Sequence, residues 1–193
     1  PLYTGRELEN QLKDSGAKAI VVLENFAHTV QEVVARTPVE HVITTEIGDL
    51  FPPLKRLLTN LVVKYGKKLV PPWRIEGAVA WHTALAAGRG LPLDPVVLTQ
   101  DDIAFLQYTG GTTGVSKGAE LTHRNMVANV LQTEAWMGPS LRDQTEQMVL
   151  VTALPLYHIF SLTVNCLLML TLGGCNVLIT NPRDIPAFVK ELG

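Results

Sequence analysis

Between Tyr108 and Gly118 the chain reads Tyr-Thr-Gly-Gly-Thr-Thr-Gly-Val-Ser-Lys-Gly. Gly110, Gly111, Gly114 and Gly118 open backbone conformations closed to other residues and let main-chain N–H groups come close to a ligand. Thr109, Thr112 and Thr113 add hydroxyl groups, and Lys117 adds one positive charge. Many short donors, one cation and no bulk are what a polyphosphate requires. The Walker pattern is excluded, because it needs Gly-Lys-[Ser/Thr] and here Lys117 stands between Ser116 and Gly118. A ligand-free Gly/Thr turn is the competing explanation, and the number of hydroxyls beside the lysine argues against it.

A loop of this kind needs rigid elements on both sides. The chain has 193 residues, 47% hydrophobic and 18% charged, enough for one buried core and not the composition of a disordered segment. A net charge of −2 gives no field suited to nucleic acid, which is not expected as a partner. Thr4 with Glu7 forms a capping box that opens a first helix. β-Branched runs at 19–23 and 39–45 flank a helical stretch at 26–36. Later strands are expected at 103–108, 148–153 and 176–180, and helices at 123–137, 159–172 and 183–192. Thr122 caps the first of these three helices and Asn181-Pro182 starts the last. Strand–helix–strand alternation predicts an α/β fold with a mostly parallel sheet flanked by helices.

No Lys, Arg, Asp or Glu occurs from Gln147 to Pro182. A membrane span needs about 20 apolar residues, but Pro155 and Gly173-Gly174 cut this run into strand, helix and strand. A buried layer is the expectation. Cys166 and Cys175 read as two buried free thiols in a reducing compartment.

The segment 50–75 breaks the alternation. It holds Lys55, Arg56, Lys64, Lys67, Lys68 and Arg74 and no acidic residue. Leu54, Leu57, Leu58, Leu61, Val62, Tyr65 and Leu69 share one helical side, with Val63 opposite. Two readings stay open: a surface helix docked by its apolar stripe, with its lysines in solvent, or a helix lying in an anionic membrane interface. The docked helix is the expectation. Pro52-Pro53 and Pro71-Pro72 bound the segment as an insertion.

Residues 108–126, Tyr-Thr-Gly-Gly-Thr-Thr-Gly-Val-Ser-Lys-Gly-Ala-Glu-Leu-Thr-His-Arg-Asn-Met, resemble the signature loop of the adenylate-forming, AMP-binding superfamily of acyl-CoA synthetases, luciferases and peptide-synthetase adenylation domains. Residues 154–162, Leu-Pro-Leu-Tyr-His-Ile-Phe-Ser-Leu, resemble the motif after that superfamily's next core strand. The similarity runs along the whole chain and is strongest toward bacterial long-chain fatty-acid-CoA ligases. Ser116 stands where most members carry proline, and Ser161-Leu162 stand where some carry tunnel-gating aromatic residues.

The resemblance implies that residues 1–193 are an internal fragment of the large N-terminal domain of such an enzyme. It implies two half-reactions: a fatty carboxylate attacks ATP to give acyl-adenylate and pyrophosphate, then coenzyme A displaces AMP to give acyl-CoA. An adenylating ligase for another carboxylic acid is the alternative. By the same resemblance, Tyr108, Thr109, Gly110, Gly111, Thr112, Thr113, Gly114, Lys117 and Gly118 hold the ATP phosphates. Thr109 also approaches Mg²⁺, and Tyr157, His158 and Phe160 line the acyl-adenylate pocket. No residue is assigned as catalytic, His158 being the one candidate. His123 and Arg124 read as support for the loop. The segments that hold adenine and ribose, and the small C-terminal domain with its adenylation lysine, are expected beyond Gly193, so the fragment alone is expected to be inactive. A cytoplasmic protein, touching the inner face of the membrane peripherally and homodimeric at full length, completes the expectation.

Overall fold

The computed structural model describes residues 3–109, 116–141 and 146–192, with Thr109 and residues 139–141 described by backbone alone. The chain divides into two compact units, 1–96 with 108–118, and 97–107 with 119–193.

The first unit starts with α1, Gly5–Ser15. The Thr4 hydroxyl accepts the Glu7 N–H at 3.4 Å, and the Glu7 carboxylate accepts the Thr4 N–H at 2.8 Å, so the expected capping box is present. Glu9 then joins Lys13 on its own helix to Arg36 across the unit, and these partners, Arg36 first, hold its carboxyl down to about 2. Strand β1, Ala19–Leu23, runs parallel to β2, His41–Thr45, with Ala19 opposite His41. Between them the expected single helix is segmented. A 3₁₀ turn at Glu24–Phe26 leads into α2, Ala27–Val33, and a second 3₁₀ turn follows at Val34–Arg36. Ala27, Val30 and Val33 are buried at three-residue spacing and pack with Leu12 of α1 as the core. A short strand β3, Val79–Ala80, extends the parallel sheet in the order β1-β2-β3 and leads directly into α4, Trp81–Gly88. Neither was expected from the sequence.

Helix α3, Pro53–Leu61, runs on as a π-helical turn over Val62–Gly66, and its orientation reverses the expectation. Leu54 is 71% exposed and Tyr65 67%, whereas the polar side faces the unit. The Asn60 amide oxygen accepts the Gly48 N–H at 2.8 Å and its amide nitrogen donates to Glu46 at 2.9 Å. Lys64 pairs with Glu24 at 3.0 Å, and Arg56 lies 2.8 Å from the His82 ring. Gly48 permits this approach: a Cβ there would stand 2.6 Å from the Asn60 side-chain oxygen and 3.0 Å from the Arg56 carbonyl. Two acids on the facing surface, Glu24 and Glu46, supply partners that an apolar stripe could not satisfy, so the polar side turns inward.

Burial raises Glu46 above the ordinary carboxylate range, reinforced by the Glu24 and Asp49 charges. The folded state therefore holds this proton more tightly than the unfolded chain does. The stability it contributes is full below the ordinary glutamate pKa and is lost as pH rises through the folded value. Glu46→Gln, which keeps an oxygen for Asn60, is expected to raise the melting temperature at neutral pH. Thermal melts should show that gain vanish toward about pH 4.

Strand β4, Ile103–Thr109, pairs with β5, Lys117–Thr122, the ends at 108–109 and 117–118 being counted with the first unit, and in the second unit β6, Val149–Thr152, runs parallel to β7, Cys175–Leu178. β5 was not expected. Helix α5, His123–Leu141, extends past its expected end at residue 137. The expected helix at 159–172 is a π-helical segment, Ser161–Leu168, continuing into α6, Met169–Thr171. Met126 and Val130 of α5 pack as core, and within the charge-poor stretch Leu168 and Met169 are buried, whereas Val149, Tyr157, Phe160, Leu170 and Leu178 are exposed, so that stretch is a buried layer only in part. Among the described residues no helix is long and apolar enough to cross a membrane. Both cysteines are free, but neither is buried as expected: Cys166 is half-buried on the π-helical segment, and Cys175 is exposed at the first position of β7. Helix α7, Ile185–Leu192, begins two residues late. Asn181 accepts the Arg183 N–H in a local turn, and Asp184 caps the helix by accepting the Ala187 N–H at 3.2 Å.

Candidate functional site

The loop residues Gly110, Gly111, Thr112, Thr113 and Gly114 lie outside the described residues, as does the Thr109 side chain. What the structure gives is their mounting. Tyr108 and Thr109 end β4, while Lys117 and Gly118 open β5, so the segment between the strands is shorter than the eleven-residue motif. Lys117 is exposed, its ammonium unencumbered by burial.

Tyr108 is the fixed point. Its hydroxyl donates to the Asp14 carboxylate at 2.6 Å. Burial, then the Asp14 bond and charge, push the phenol up to about 12, so it remains a donor at every working pH. Its ring lies across Gly118, where a Cβ would stand 2.9 to 3.2 Å from three ring carbons. The two ends of the loop are thus stacked on each other, one pinned through Asp14 to the last turn of α1. Asp14 lies 94 residues from Tyr108 and carries no sequence signal of this role.

The start of α5 is also tied down. The Thr122 hydroxyl accepts the Asn125 N–H at 3.2 Å, and the Asn125 carbonyl oxygen accepts the Thr122 N–H at 3.0 Å, a reciprocal cap in which asparagine takes the usual glutamate's place. Arg124 grips the Asp101 carboxylate through two nitrogens at 3.1 and 2.9 Å, and the His123 N–H donates to the Asp102 carbonyl. The support expected of His123 and Arg124 therefore reaches the turn that feeds β4.

The 154–162 motif forms a turn ahead of the π-helical segment. The His158 N–H donates to the Pro155 carbonyl at 2.9 Å, and the Ser161 hydroxyl donates to the Leu154 carbonyl at 3.1 Å. His158 Nδ1 accepts the Phe160 N–H at 3.3 Å, an N-capping contact that leaves Nε2 to carry the proton of the neutral ring. Gln107 of β4 donates its amide to the Tyr157 carbonyl at 3.0 Å, a link with no sequence signal. Tyr157 is 63% exposed and Phe160 54% exposed. Below the turn, Asn165 donates to the Thr152 hydroxyl, which donates to Asn176, and Asn176 donates back to the Asn165 carbonyl. This closed polar circuit fixes β6 and β7 against the helix that carries the motif.

Among the described residues no group of three His, Cys, Asp or Glu could hold a metal ion.

The sequence matches the family model described as AMP-binding enzyme over residues 1–192. It is 58% identical over 192 residues to a long-chain-fatty-acid–CoA ligase of Escherichia coli O157:H7, covering all of this chain and 34% of that protein. It is 54% identical, with the same coverage, to a protein of that name from Haemophilus influenzae. The chain thus spans about a third of the length of these relatives. Among solved structures, ATP-bound MatB from Rhodopseudomonas palustris superposes with a TM-score of 0.63 at 26% identity, covering 93% of this chain and 29% of that one. An anthranilate CoA ligase bound to anthranoyl-AMP has a TM-score of 0.69 over 99% of this chain and 32% of that one, and at 18% identity it supports the fold alone. A glycine–threonine loop mounted between two pinned strands, in a chain matched almost end to end, places this protein in the AMP-binding enzyme family.

Proposed function

We propose that the protein containing this chain activates long-chain fatty acids as acyl-CoA thioesters. The observation that carries this reading is identity of 54 to 58% along the whole chain to proteins named long-chain-fatty-acid–CoA ligase. In the first half-reaction a carboxylate oxygen bonds to the α-phosphorus of ATP, the bond to the bridging oxygen breaks, and pyrophosphate leaves. In the second the coenzyme A sulfur bonds to the acyl carbon and AMP leaves. Negative charge grows on the departing pyrophosphate in the first step. Donors already aimed at those oxygens lower that barrier more than they stabilise bound ATP.

The backbone N–H groups of 110–114, the hydroxyls of Thr109, Thr112 and Thr113, and the ammonium of Lys117 supply those donors. Tyr108 and Gly118 hold the ends in register. Magnesium on the phosphates would supply charge neutralisation, with the Thr109 hydroxyl as the protein's contribution. Tyr157, His158 and Phe160 would form part of the acyl wall. His158, whose Nδ1 is committed to its helix cap, serves there through its Nε2 side.

The test is exchange of labelled pyrophosphate into ATP by the intact protein. Oleate is expected to drive exchange, and oleoyl-CoA and AMP should appear once coenzyme A is added. Exchange driven by aromatic or amino acids and not by oleate would overturn the assignment in favour of another adenylating ligase.

A further inference from the structure

The turn at 154–160 takes its shape from bonds between near neighbours. The His158 N–H donates to the Pro155 carbonyl, the Leu162 N–H to the His158 carbonyl, and the Phe160 N–H to His158 Nδ1. The Ser161 hydroxyl reaches the Leu154 carbonyl and the Thr163 hydroxyl the Ile159 carbonyl. None of these bonds joins residues more than seven apart, so they shape the turn without placing it. Its base is placed by burial, since Thr152 and Ser161 are buried and Thr152 belongs to the circuit with Asn165 and Asn176. Its outer part is not, because every residue from 154 to 160 is exposed.

One bond reaches that exposed part from far along the chain. Gln107, half-buried on β4, donates its side-chain amide to the Tyr157 carbonyl at 3.0 Å across 50 residues. Among the described residues, 154–160 make no other hydrogen bond to an element distant in sequence. The acceptor belongs to the Tyr157–His158 peptide group, the same planar unit whose N–H donates to Pro155. Holding its oxygen therefore orients the plane that joins the two residues. The His158 ring follows, because its Nδ1 is committed to the Phe160 N–H. Strand β4 can serve as the anchor, being paired with β5. Without apolar burial, this one bond decides where the turn stands.

We propose that Gln107 is a positioning residue for the acyl substrate, an assignment that rests on the reading of Tyr157, His158 and Phe160 as part of the acyl wall. Its amide holds the Tyr157–His158 peptide, and with it those three side chains, at a fixed place beside β4. Gln107 touches no reacting atom in this role. Its loss lets the wall drift, and a reactant displaced by about 1 Å can cost up to 10²-fold in rate. The requirement is for a donor at the right reach and not for bulk, since the bond ends on a carbonyl oxygen.

The experiment compares Gln107→Met, Gln107→Glu and Gln107→Lys in the intact protein by amide hydrogen–deuterium exchange and by kinetics. Methionine keeps the length and loses the donor, glutamate turns an acceptor toward the carbonyl, and lysine restores a donor within reach. Amide exchange across 154–160 is expected to quicken on the order of tenfold with methionine or glutamate, the worth of one hydrogen bond, and to stay near wild type with lysine. The KM for oleate in pyrophosphate exchange should rise on the same scale, while the KM for ATP stays unmoved. The melting temperature should fall by no more than about 2 °C, as for a substitution outside the core. Unchanged amide exchange in Gln107→Met overturns the proposal. So does wild-type oleate kinetics in that variant, or a loss as large with lysine as with methionine, because shape alone would then explain the residue. Amide exchange needs no substrate, so a protein that fails to use oleate overturns the long-chain reading and leaves this test standing, its kinetic arm then run with the acid that the wild type accepts.

Discussion

Replacing Thr109, Thr112 and Lys117 together with alanine is expected to slow acyl-adenylate formation by the intact protein on the order of 10³-fold or more. Removal of a single preorganised donor from a site of developing negative charge costs about 10²- to 10³-fold. Three donors on one leaving group act as a unit, so their effects need not multiply. The loss should fall on the adenylating step: single-turnover adenylate formation from ATP and oleate should collapse. Thioester formation from presynthesised oleoyl-adenylate and coenzyme A should stay within about tenfold, since pyrophosphate has already left. Lys117 is exposed at the first position of β5, so Lys117→Ala removes charge without opening a cavity. A normal melting temperature with collapsed adenylation is the expected pair of results. Full-rate adenylation by the triple variant would end the phosphate-loop reading.

Where local chemistry determined structure, the sequence was a sufficient guide. The Thr4/Glu7 box and the Thr122 cap each require only neighbours three residues apart, and both formed where expected. Strand β1 carries an uninterrupted β-branched run and appeared with its expected bounds. What failed depended on distant partners. The rotation of α3 is decided by Glu24 and Glu46, which lie 40 and 14 residues from the side chains they hold. Periodicity identifies an amphipathic helix, but which side faces inward depends on what the facing surface offers. Here that surface offers carboxylates. Strand β3 is only two residues long, too short to carry any period, and exists because β2 presents an unpaired edge. The start of α7 turned on which of two nearby cap residues, Asn181 or Asp184, spent its side chain on a local turn instead.

The same division runs through the site. The glycines, hydroxyls and lysine of the loop are legible because the ligand's chemistry dictates their types. Tyr108 was legible only as a neighbour. That its ring covers Gly118 and its hydroxyl reaches Asp14 are tertiary facts, as is the grip of Gln107 on the Tyr157 carbonyl.

Those tertiary facts make Gly118 the more informative target. Gly118→Ala adds one methyl group where the nearest atom, the Tyr108 ring carbon that bears the hydroxyl, stands at 2.9 Å. The ring cannot yield by rotating about its own axis, because three of its carbons lie within 3.2 Å of the new atom. It must translate, and the 2.6 Å bond to Asp14 resists that movement. Overpacking of this kind costs about 1–3 kcal/mol. Displacing a strand end by about 1 Å can cost 10²-fold in rate when the strand aims catalytic donors. Gly118→Ala is therefore expected to lower both the melting temperature and the adenylation rate, although Gly118 offers the nucleotide no side chain. A merely flexible loop would show the rate loss without dependence on Tyr108. The double-mutant cycle separates the cases: once Tyr108→Ala has removed the ring, adding Gly118→Ala should cost little further, giving a coupling of about 1–3 kcal/mol. Additive losses would mean that the alanine acts on the backbone of the loop itself, and the stacked mounting of its two ends would be refuted.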